Sequence, residues 1–148
     1  MLIRNADLSK DALAIVDGAR DFVSRVTFAA LFPKDEAEFI EAIGRIVSLE
    51  TLEILVAESE GEIVGGIGIL YAPYLWNHHR LVADELFWWC HEKAPSRTGW
   101  RLIDQAMKNI EERGAIPMFS ALETSPSGVQ KIYHRLGMKP IETKYARF

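Results

Sequence analysis

Apolar and polar positions give the clearest structural signal between residues 52 and 73. The stretch "LEILVAESEGEIVGGIGILYAP" has β-branched and other apolar residues on both sides of a polar, glycine-containing segment, Ser59 to Glu62. Two strands around a short turn produce this pattern. We therefore predict a β-hairpin in this part of the chain.

A further strand is predicted over residues 81–90, where both alternating sets of side chains are mostly apolar. A strand of this kind is covered on both faces. The preceding segment, 71–80, is rich in Tyr, Trp, Asn and His and is predicted as a loop. Shorter strands are predicted at 1–5, 116–122 and 138–147, and Pro140 limits the last of them to an edge-like position.

Helical spacing is clearest over residues 98–113, where charges separate the apolar positions and Gly114 stands at the C-terminal cap. Three other helices are predicted: one capped by Asp7 or Ser9, one from the acidic turn after Pro33 to about Val47, and one over 129–136. The resulting order is β, α, α, three β, α, β, α, β. It indicates a single α+β domain over residues 1–148 with one mixed sheet.

Composition narrows the classes of function. The chain has 148 residues, of which 49% are hydrophobic and 26% charged, with a formal net charge of -4, so it can build one core and has no basic stripe for nucleic acid. One cysteine excludes an internal disulfide, and the N-terminus shows no export signal. No apolar run reaches the roughly 20 residues that cross a bilayer. We expect a cytoplasmic protein without nucleic-acid or membrane partners.

Two adjacent acids, Asp84 and Glu85, interrupt the apolar strand 81–90. Buried carboxylates are costly unless they are paired, hydrated or used in chemistry. Strand alternation places the two on opposite faces, so at most one of them can point into a given cleft. One interpretation is a solvated strand end in which Arg80 pairs with them, and the other is a catalytic acid.

The stretch "APSRTGW", residues 94–100, joins this strand to the predicted helix 98–113. A helix that begins after a short loop presents unpaired backbone N–H groups at the positive end of its dipole, which favours an anion such as a pyrophosphate. Arg97 and Arg101 add positive charge. Any capped helix after a strand has the same ingredients, so the feature is weak by itself.

Taken with the later stretch "YHRLGM", these features resemble the GNAT superfamily of acyl-CoA-dependent N-acetyltransferases, in particular its small bacterial and phage-type members. The resemblance covers nearly the whole chain, including "IRNADLSKDA", "VAESEGEIVGGIGI" and "GMKPIETKYAR". It implies a three-layer α/β/α arrangement around a mixed, mostly antiparallel sheet. In the family's Q/R-x-x-G-x-G/A loop pattern, only Gly99 matches fully here. Ala94 replaces Gln or Arg, and Arg97 replaces a glycine, which requires a negative φ or an outward turn.

The resemblance implies that acetyl-CoA lies between the strands 81–90 and 116–122. It assigns Glu85 as general base and Tyr133 as the acid that protonates the leaving thiolate. The backbone at Trp89 and Cys90 would polarise the thioester carbonyl. The residues implied in cofactor binding are Trp88, Trp89, Cys90, Ala94, Ser96, Arg97, Thr98, Gly99 and Trp100. The reaction implied is direct acetyl transfer to a primary amine in a ternary complex.

The acceptor is not encoded by any motif, and a small or a peptide-like amine is equally compatible with the sequence. Tyr71, Trp76 and Asn77 are candidate acceptor-binding residues, although such a loop can also simply cover a sheet edge. His78 and His79 should diverge in an extended segment and lack a third ligand, so no metal site is predicted. A non-catalytic acyl-CoA-binding or assembly module of the same fold is the alternative function. An exposed C-terminal strand edge would suit a homodimer.

Overall fold

Five strands form one sheet in the order β1-β2-β3-β4-β5 in the computed structural model, which describes residues 1–147. Neighbouring strands are antiparallel except for β4 and β5, which are parallel. The strands are β1 Leu2–Asn5, β2 Leu52–Ser59, β3 Glu62–Tyr74, β4 Asn77–Cys90 and β5 Ile116–Met118. The predicted mixed, mostly antiparallel sheet is confirmed.

The predicted hairpin at 52–73 is also confirmed. Glu60 and Gly61 connect β2 to β3 with φ angles of 55° and 83°. Positive φ at both central residues is the geometry of a two-residue hairpin turn whose twist matches that of the strands. The turn therefore fixes the register of β2 on β3, apart from one irregularity beside Glu58.

The described residues form four α-helices: α1 Leu8–Arg25, α2 Glu36–Val47, α3 Thr98–Glu112 and α4 Gly128–Arg135, with a short 3-10 turn at Ala29–Leu31. The cap of α1 is Asp7, whose carboxylate accepts the N–H of Ser9. Asp35 caps α2 by accepting two backbone N–H groups. Both are the side-chain caps expected for the first turn of a helix.

The helices α1, α2 and α3 cover both faces of the sheet. On one face, Leu102, Ala106 and Ile110 of α3 pack on a cluster that includes Leu55 and Ile67. On the other face, Ile15 of α1 packs with Ile54 and Val56, flanked by apolar residues of α2. Because consecutive strand residues point to opposite faces, Leu55 and Val56 belong to different hydrophobic clusters. This is the α+β, three-layer fold that was predicted.

Three elements differ from the prediction. Strand β4 begins at Asn77, so most of the predicted loop 71–80 is strand in a long β3–β4 hairpin with its tip at Leu75 and Trp76. Strand β5 ends at Met118 rather than at 122. No strand forms within 138–147, which follows α4 as irregular backbone. A strand needs a paired neighbour for its backbone groups, and none is provided for this segment. The expected homodimer was based on an exposed C-terminal strand edge, and the described residues contain no such strand.

The helices of residues 1–147 are too short or too polar to span a bilayer.

Candidate active site at the opening between β4 and β5

The candidate site lies where β4 and β5 separate. Their parallel pairing runs from Val82 opposite Ile116 to Asp84 opposite Met118. Strand β4 then continues for six more residues to Cys90 without β5 beside it. The edge of β4 from Glu85 onward is therefore open on the side that faces the chain after Met118. We call this space the β4–β5 opening.

A β-bulge at Leu86 decides which side chains share a face with Glu85. Gly68 pairs with Phe87, but the next residue of β3, Ile69, pairs with Glu85, so Leu86 is the extra residue on β4. A bulge of this kind shifts the alternation of the bulged strand by one. Glu85 therefore shares the α3 face with Trp88 rather than lying opposite to it.

The same register shows which backbone groups face the opening. The N–H of His91 donates to the carbonyl of Val64 on β3. In an antiparallel ladder the residues that bond to the partner alternate, so Trp89 also points its N–H towards β3, whereas Trp88 and Cys90 point theirs away from it. Of the two residues predicted as a carbonyl clamp, Cys90 has its N–H on the open side of β4, whereas the N–H of Trp89 faces β3.

Glu85 is a buried carboxyl group with a single polar contact. It is 9% exposed, and its Oε2 accepts the N–H of Ser120 at 3.3 Å. Burial raises the pKa of Glu85 to about 7, although the Ser120 hydrogen bond acts in the opposite direction. The interpretation of a solvated strand end is wrong for Glu85, which is enclosed, but it fits Asp84, which is exposed. No ion pair joins either acid to Arg80 within the described residues.

Tyr133 reaches the same residue from α4. Its side chain is buried, and its hydroxyl donates to the carbonyl of Ser120 at 2.8 Å. The ring of Phe119 meets the tyrosine ring edge-on, with centroids 5.8 Å apart. Burial raises the pKa of Tyr133, and the negative charge of Glu85 raises it further. The phenol therefore stays protonated in the neutral pH range.

The N-terminus of α3 keeps a glycine-like backbone although it lacks the family's first glycine. Arg97 caps the helix with φ 71° and ψ 7° and has an exposed side chain. Of the two alternatives for this residue, the negative φ is wrong and the outward side chain is found. Within residues 1–147 no protein acceptor takes the N–H of Gly99 or Trp100. These are the free donors of a first helical turn.

The other predicted loop residues differ in how far their polar groups are already engaged. The Thr98 hydroxyl is buried and donates to the carbonyl of Pro95 at 2.6 Å. Ala94 packs against the core, and its N–H donates to the carbonyl of His91. Ser96 is exposed. Arg97 and the free N–H groups therefore carry the positive potential of this turn.

Trp88, Cys90 and Gly99 lie together between the opening and α3. A methyl group placed on Gly99 would come within 3.0 Å of the Trp88 ring and 3.6 Å of Cys90 Sγ. Burial raises the pKa of the Cys90 thiol to about 11, so it is a poor nucleophile at neutral pH. The buried indole N–H of Trp88 has no hydrogen-bond partner within the described residues. Buried side-chain N–H groups in proteins usually have a hydrogen-bond partner.

Trp89 has its side chain on the opposite face, away from these residues. Its indole lies between Gly18 of α1 and Gly66 of β3, and a methyl group on Gly18 would come within 2.1 Å of the ring. The glycines allow the aromatic ring to lie flat between helix and sheet. The Trp89 side chain therefore fills the space between α1 and the sheet.

The three predicted acceptor-binding residues do not meet. Tyr71 is buried, its hydroxyl donates to Glu53 at 2.8 Å, and the Arg113 guanidinium lies 4.3 Å above its ring. Burial raises the pKa of this hydroxyl, as does its bond to Glu53. Trp76 is 83% exposed at the hairpin tip, beside the exposed Asn77.

Two cavities lie elsewhere. One of about 260 Å³ is bordered by Asn5, Glu53 and Arg113, and another of about 700 Å³ by Arg4, Asp11 and Glu58. We choose the β4–β5 opening as the candidate site, because the buried acid Glu85 and the free N–H groups of α3 are there.

The His78 and His79 rings do not diverge, since their centroids are 3.9 Å apart. No three His, Cys, Asp or Glu residues among residues 1–147 could hold a metal ion.

Solved structures with the same fold are numerous, although no family model matches the sequence and no curated protein does. A transcriptional regulator from Bacillus halodurans C-125 has 23% identity and a TM-score of 0.78, with 99% of each chain covered. The ribosomal-protein-alanine N-acetyltransferase from Brucella melitensis biovar Abortus 2308 has 19% identity and a TM-score of 0.75, with 99% of this chain and 98% of that chain covered.

A predicted acetyltransferase from Clostridium acetobutylicum, solved with acetyl-CoA, has 14% identity and a TM-score of 0.71, with 99% of this chain and 95% of that chain covered. Most of these neighbours are acetyltransferases. The protein therefore has the fold of the GNAT superfamily, as the sequence resemblance implied.

Sequence reasoning missed Ser120, which contacts both predicted catalytic residues through its backbone. A backbone contact leaves no signature in residue type. It also missed the bulge at Leu86, because no glycine or proline within β4 marks it.

Proposed function

We propose that this protein transfers an acetyl group from acetyl-CoA to a primary amine. The observation that carries the proposal is that a buried acid with a pKa near 7, Glu85, and a protonated phenol, Tyr133, are both fixed on Ser120 where β4 and β5 diverge. A base and an acid at one opening are what amide formation from an ammonium and a thioester requires.

The residues at the N-terminus of α3 suit the pyrophosphate of the acyl donor. Gly99 and Trp100 offer two free N–H groups at the positive end of the α3 dipole, and Arg97 and Arg101 add positive charge. The left-handed Arg97 leaves this turn with the shape that a glycine would give it, with its own side chain outside. Acetyl-CoA would supply the thioester carbon that the amine attacks.

Each protein group has one task in this reaction. Glu85 accepts a proton from the ammonium, since a carboxylate with a pKa of about 7 matches the general base that neutral pH requires. Backbone N–H groups of Trp88 and Cys90, which point away from β3, would stabilise the negative charge on the thioester oxygen. Tyr133 would release its bond to the Ser120 carbonyl and supply the proton that the leaving thiolate needs.

The first test is binding followed by turnover. Isothermal titration with acetyl-CoA should give saturable heat, and an amine panel of polyamines, aminoglycosides, amino acids and peptides should release free thiol. Glu85→Gln and Tyr133→Phe should each lower the rate by roughly 100-fold. Matched controls are Glu111→Gln and Tyr145→Phe, at exposed positions outside the opening. Equal rates in the paired variants would reject the assigned roles.

A non-catalytic binding or assembly module of the same fold is the second candidate. It is favoured by the arginine where the pyrophosphate loop usually has glycine, and by the presence of a transcriptional regulator among the structural neighbours. Absence of heat with acetyl-CoA at high micromolar concentration would support it.

A further inference from the structure

The smaller cavity, of about 260 Å³, has two charged residues of opposite sign at its border. Of the described residues that line it, Glu53 of β2 and Arg113 at the C-terminal end of α3 are the charged ones. Arg113 Nη2 lies 3.6 Å from Glu53 Oε1, which is longer than a direct hydrogen bond. The two charges are therefore close together without a direct bond between them. We call this space the Glu53 cavity.

Both charged groups are held in place by other side chains. The Tyr71 hydroxyl donates to one oxygen of Glu53 at 2.8 Å, and the Asn109 amide donates to the other at 2.9 Å. The Arg113 guanidinium lies 4.3 Å from the centroid of the Tyr71 ring, a distance at which cation and ring attract each other. Because these groups are already ordered, a ligand that binds them loses little affinity to side-chain ordering.

Both charged groups also keep capacity for a further partner. An ionised carboxylate accepts about four hydrogen bonds, and a guanidinium donates five. Glu53 accepts two hydrogen bonds, and its side chain is 10% exposed, whereas that of Arg113 is 52% exposed. The carboxylate can therefore accept from an ammonium group while the guanidinium donates to a second carboxylate.

Apolar side chains form much of the remaining wall. Leu8 of α1, Val47 of α2 and Leu52 of β2 border the cavity. Leu8 is 41% exposed, and the other two are only partly buried. Helix α2 fully buries a single residue, Phe39, so its C-terminal end leaves apolar surface uncovered. Contact with an aliphatic group would remove this surface from water, which is favourable.

The Glu53 cavity is separate from the β4–β5 opening. Glu53 pairs with Ile69 of β3, and Ile69 pairs with Glu85 of β4. The backbones of the two glutamates are therefore two strand spacings apart, about 10 Å. Ile69 lies between them and is fully buried. A small ligand in the Glu53 cavity does not reach the opening.

We propose that the Glu53 cavity binds a free amino acid with an aliphatic side chain. Its carboxylate would pair with Arg113, since a guanidinium matches the geometry of a carboxylate, and its ammonium would pair with Glu53. Its side chain would contact the apolar wall. A zwitterion adds no net charge beside the Glu53–Arg113 pair, whereas a simple acid or amine would leave one charge unpaired. This binding does not depend on acetyl transfer.

The experiment is a titration of the isotope-labelled full chain with leucine, without acetyl-CoA, followed by amide NMR spectra. Amides next to the cavity, such as those of Ala6, Leu8 and Gly114, should shift saturably with a Kd on the order of 1 mM or below. N-acetyl-leucine lacks the ammonium and leucinamide lacks the carboxylate, so each should bind at least about tenfold more weakly. Serine lacks the aliphatic group and should also bind more weakly.

Variants test the two parts of the cavity. Arg113→Gln should weaken leucine binding at least about tenfold. Lys108→Gln is the matched control, because it removes one positive charge from the same helix at a similarly exposed position, and it should leave the affinity unchanged. Leu8→Ala, which changes no charge, should weaken binding roughly threefold. Thermal melts establish that each variant is folded.

Two results would overturn this inference. The first is the absence of saturable shifts with leucine, or equal affinity for leucine, N-acetyl-leucine and leucinamide. The second is loss of leucine binding in Glu85→Gln with retention in Arg113→Gln, which would place the amino acid at the opening as an acceptor and leave the proposed function intact. If leucine binds as expected while acetyl-CoA does not bind, the proposed function fails and this inference stands.

Discussion

Glu85 and Tyr133 are joined through the two backbone groups of Ser120, whose N–H donates to the glutamate at 3.3 Å and whose carbonyl accepts from the tyrosine at 2.8 Å. The arrangement sets the protonation of both side chains. Ionisation of Glu85 raises the pKa of Tyr133, so the phenol keeps its proton while the carboxylate is ready to accept one. In the proposed reaction this is the state in which base and acid are both competent.

Stability should depend on pH through Glu85. Its folded pKa of about 7 lies above the ordinary value of an exposed glutamate, about 4.3. Between these pH values the unfolded chain loses the proton while the folded protein keeps it, so stability falls as pH rises and the penalty is complete above about pH 7. Glu85→Gln should remove a penalty of roughly 1–3 kcal/mol at pH 8 and change little near pH 4.

Urea unfolding of the wild type and Glu85→Gln across pH 4–8 measures this difference. Glu111→Gln is the control, because Glu111 is an exposed glutamate on α3. A difference between wild type and Glu85→Gln that is the same at every pH would contradict the assignment. In the turnover assay, the wild-type rate should rise with pH, with an apparent pKa near 7. The rate of Glu85→Gln should not show this rise.

Two helical glycines should respond in opposite ways to alanine. Gly18→Ala places a methyl group 2.1 Å from the Trp89 ring, whereas nothing lies within 4 Å of a methyl group on Gly44. The first change should cost about 1–3 kcal/mol from overpacking, and the second should stabilise α2 by about 0.4–1 kcal/mol. Thermal melts of the two variants test this pair. Equal changes of Tm in the two variants would show that α1 does not pack closely on Trp89.

The left-handed backbone at Arg97 should make glycine favourable there. A left-handed conformation costs a non-glycine residue about 1–2 kcal/mol, part of which the extra chain entropy of glycine offsets. Arg97→Gly should raise the free energy of unfolding by about 0.5–1 kcal/mol. Tm should rise accordingly, by about 2–4 °C for each kcal/mol. Ser96→Gly, at a neighbouring residue without a positive φ, should lower Tm. A lower Tm for both variants would contradict the backbone assignment.

Tyr71 should act on stability and not on the acceptor. Its hydroxyl donates to Glu53, which also accepts from Asn109 at 2.9 Å. Tyr71→Phe removes one of these bonds and should cost about 1 kcal/mol. The KM for any active amine should stay at the wild-type value, in the thiol-release assay, because the lost hydroxyl is turned away from solvent. Tyr74→Phe, near the hairpin tip, is the control and should leave stability unchanged. A raised KM in Tyr71→Phe would restore its predicted role.

The sequence by itself determined the helices, the β2–β3 hairpin and the sequence neighbourhood of the candidate site. These features depend on local patterns. Asp7 and Asp35 cap helices, polar Glu60 and Gly61 separate two apolar runs, and helical spacing defines α3. Each signal lies within a few residues of the structure that it predicts, so no knowledge of distant contacts is needed.

Only the tertiary structure decided which groups meet. Strand alternation counted from the sequence separates Glu85 from Trp88, and the bulge at Leu86 puts them on one face. The segment 138–147 has a strand-like pattern but no neighbouring strand, and Ser120 contacts Glu85 and Tyr133 through its backbone. Pairing register and backbone contacts depend on residues far apart in the chain, and the chemistry of a side chain does not reveal them.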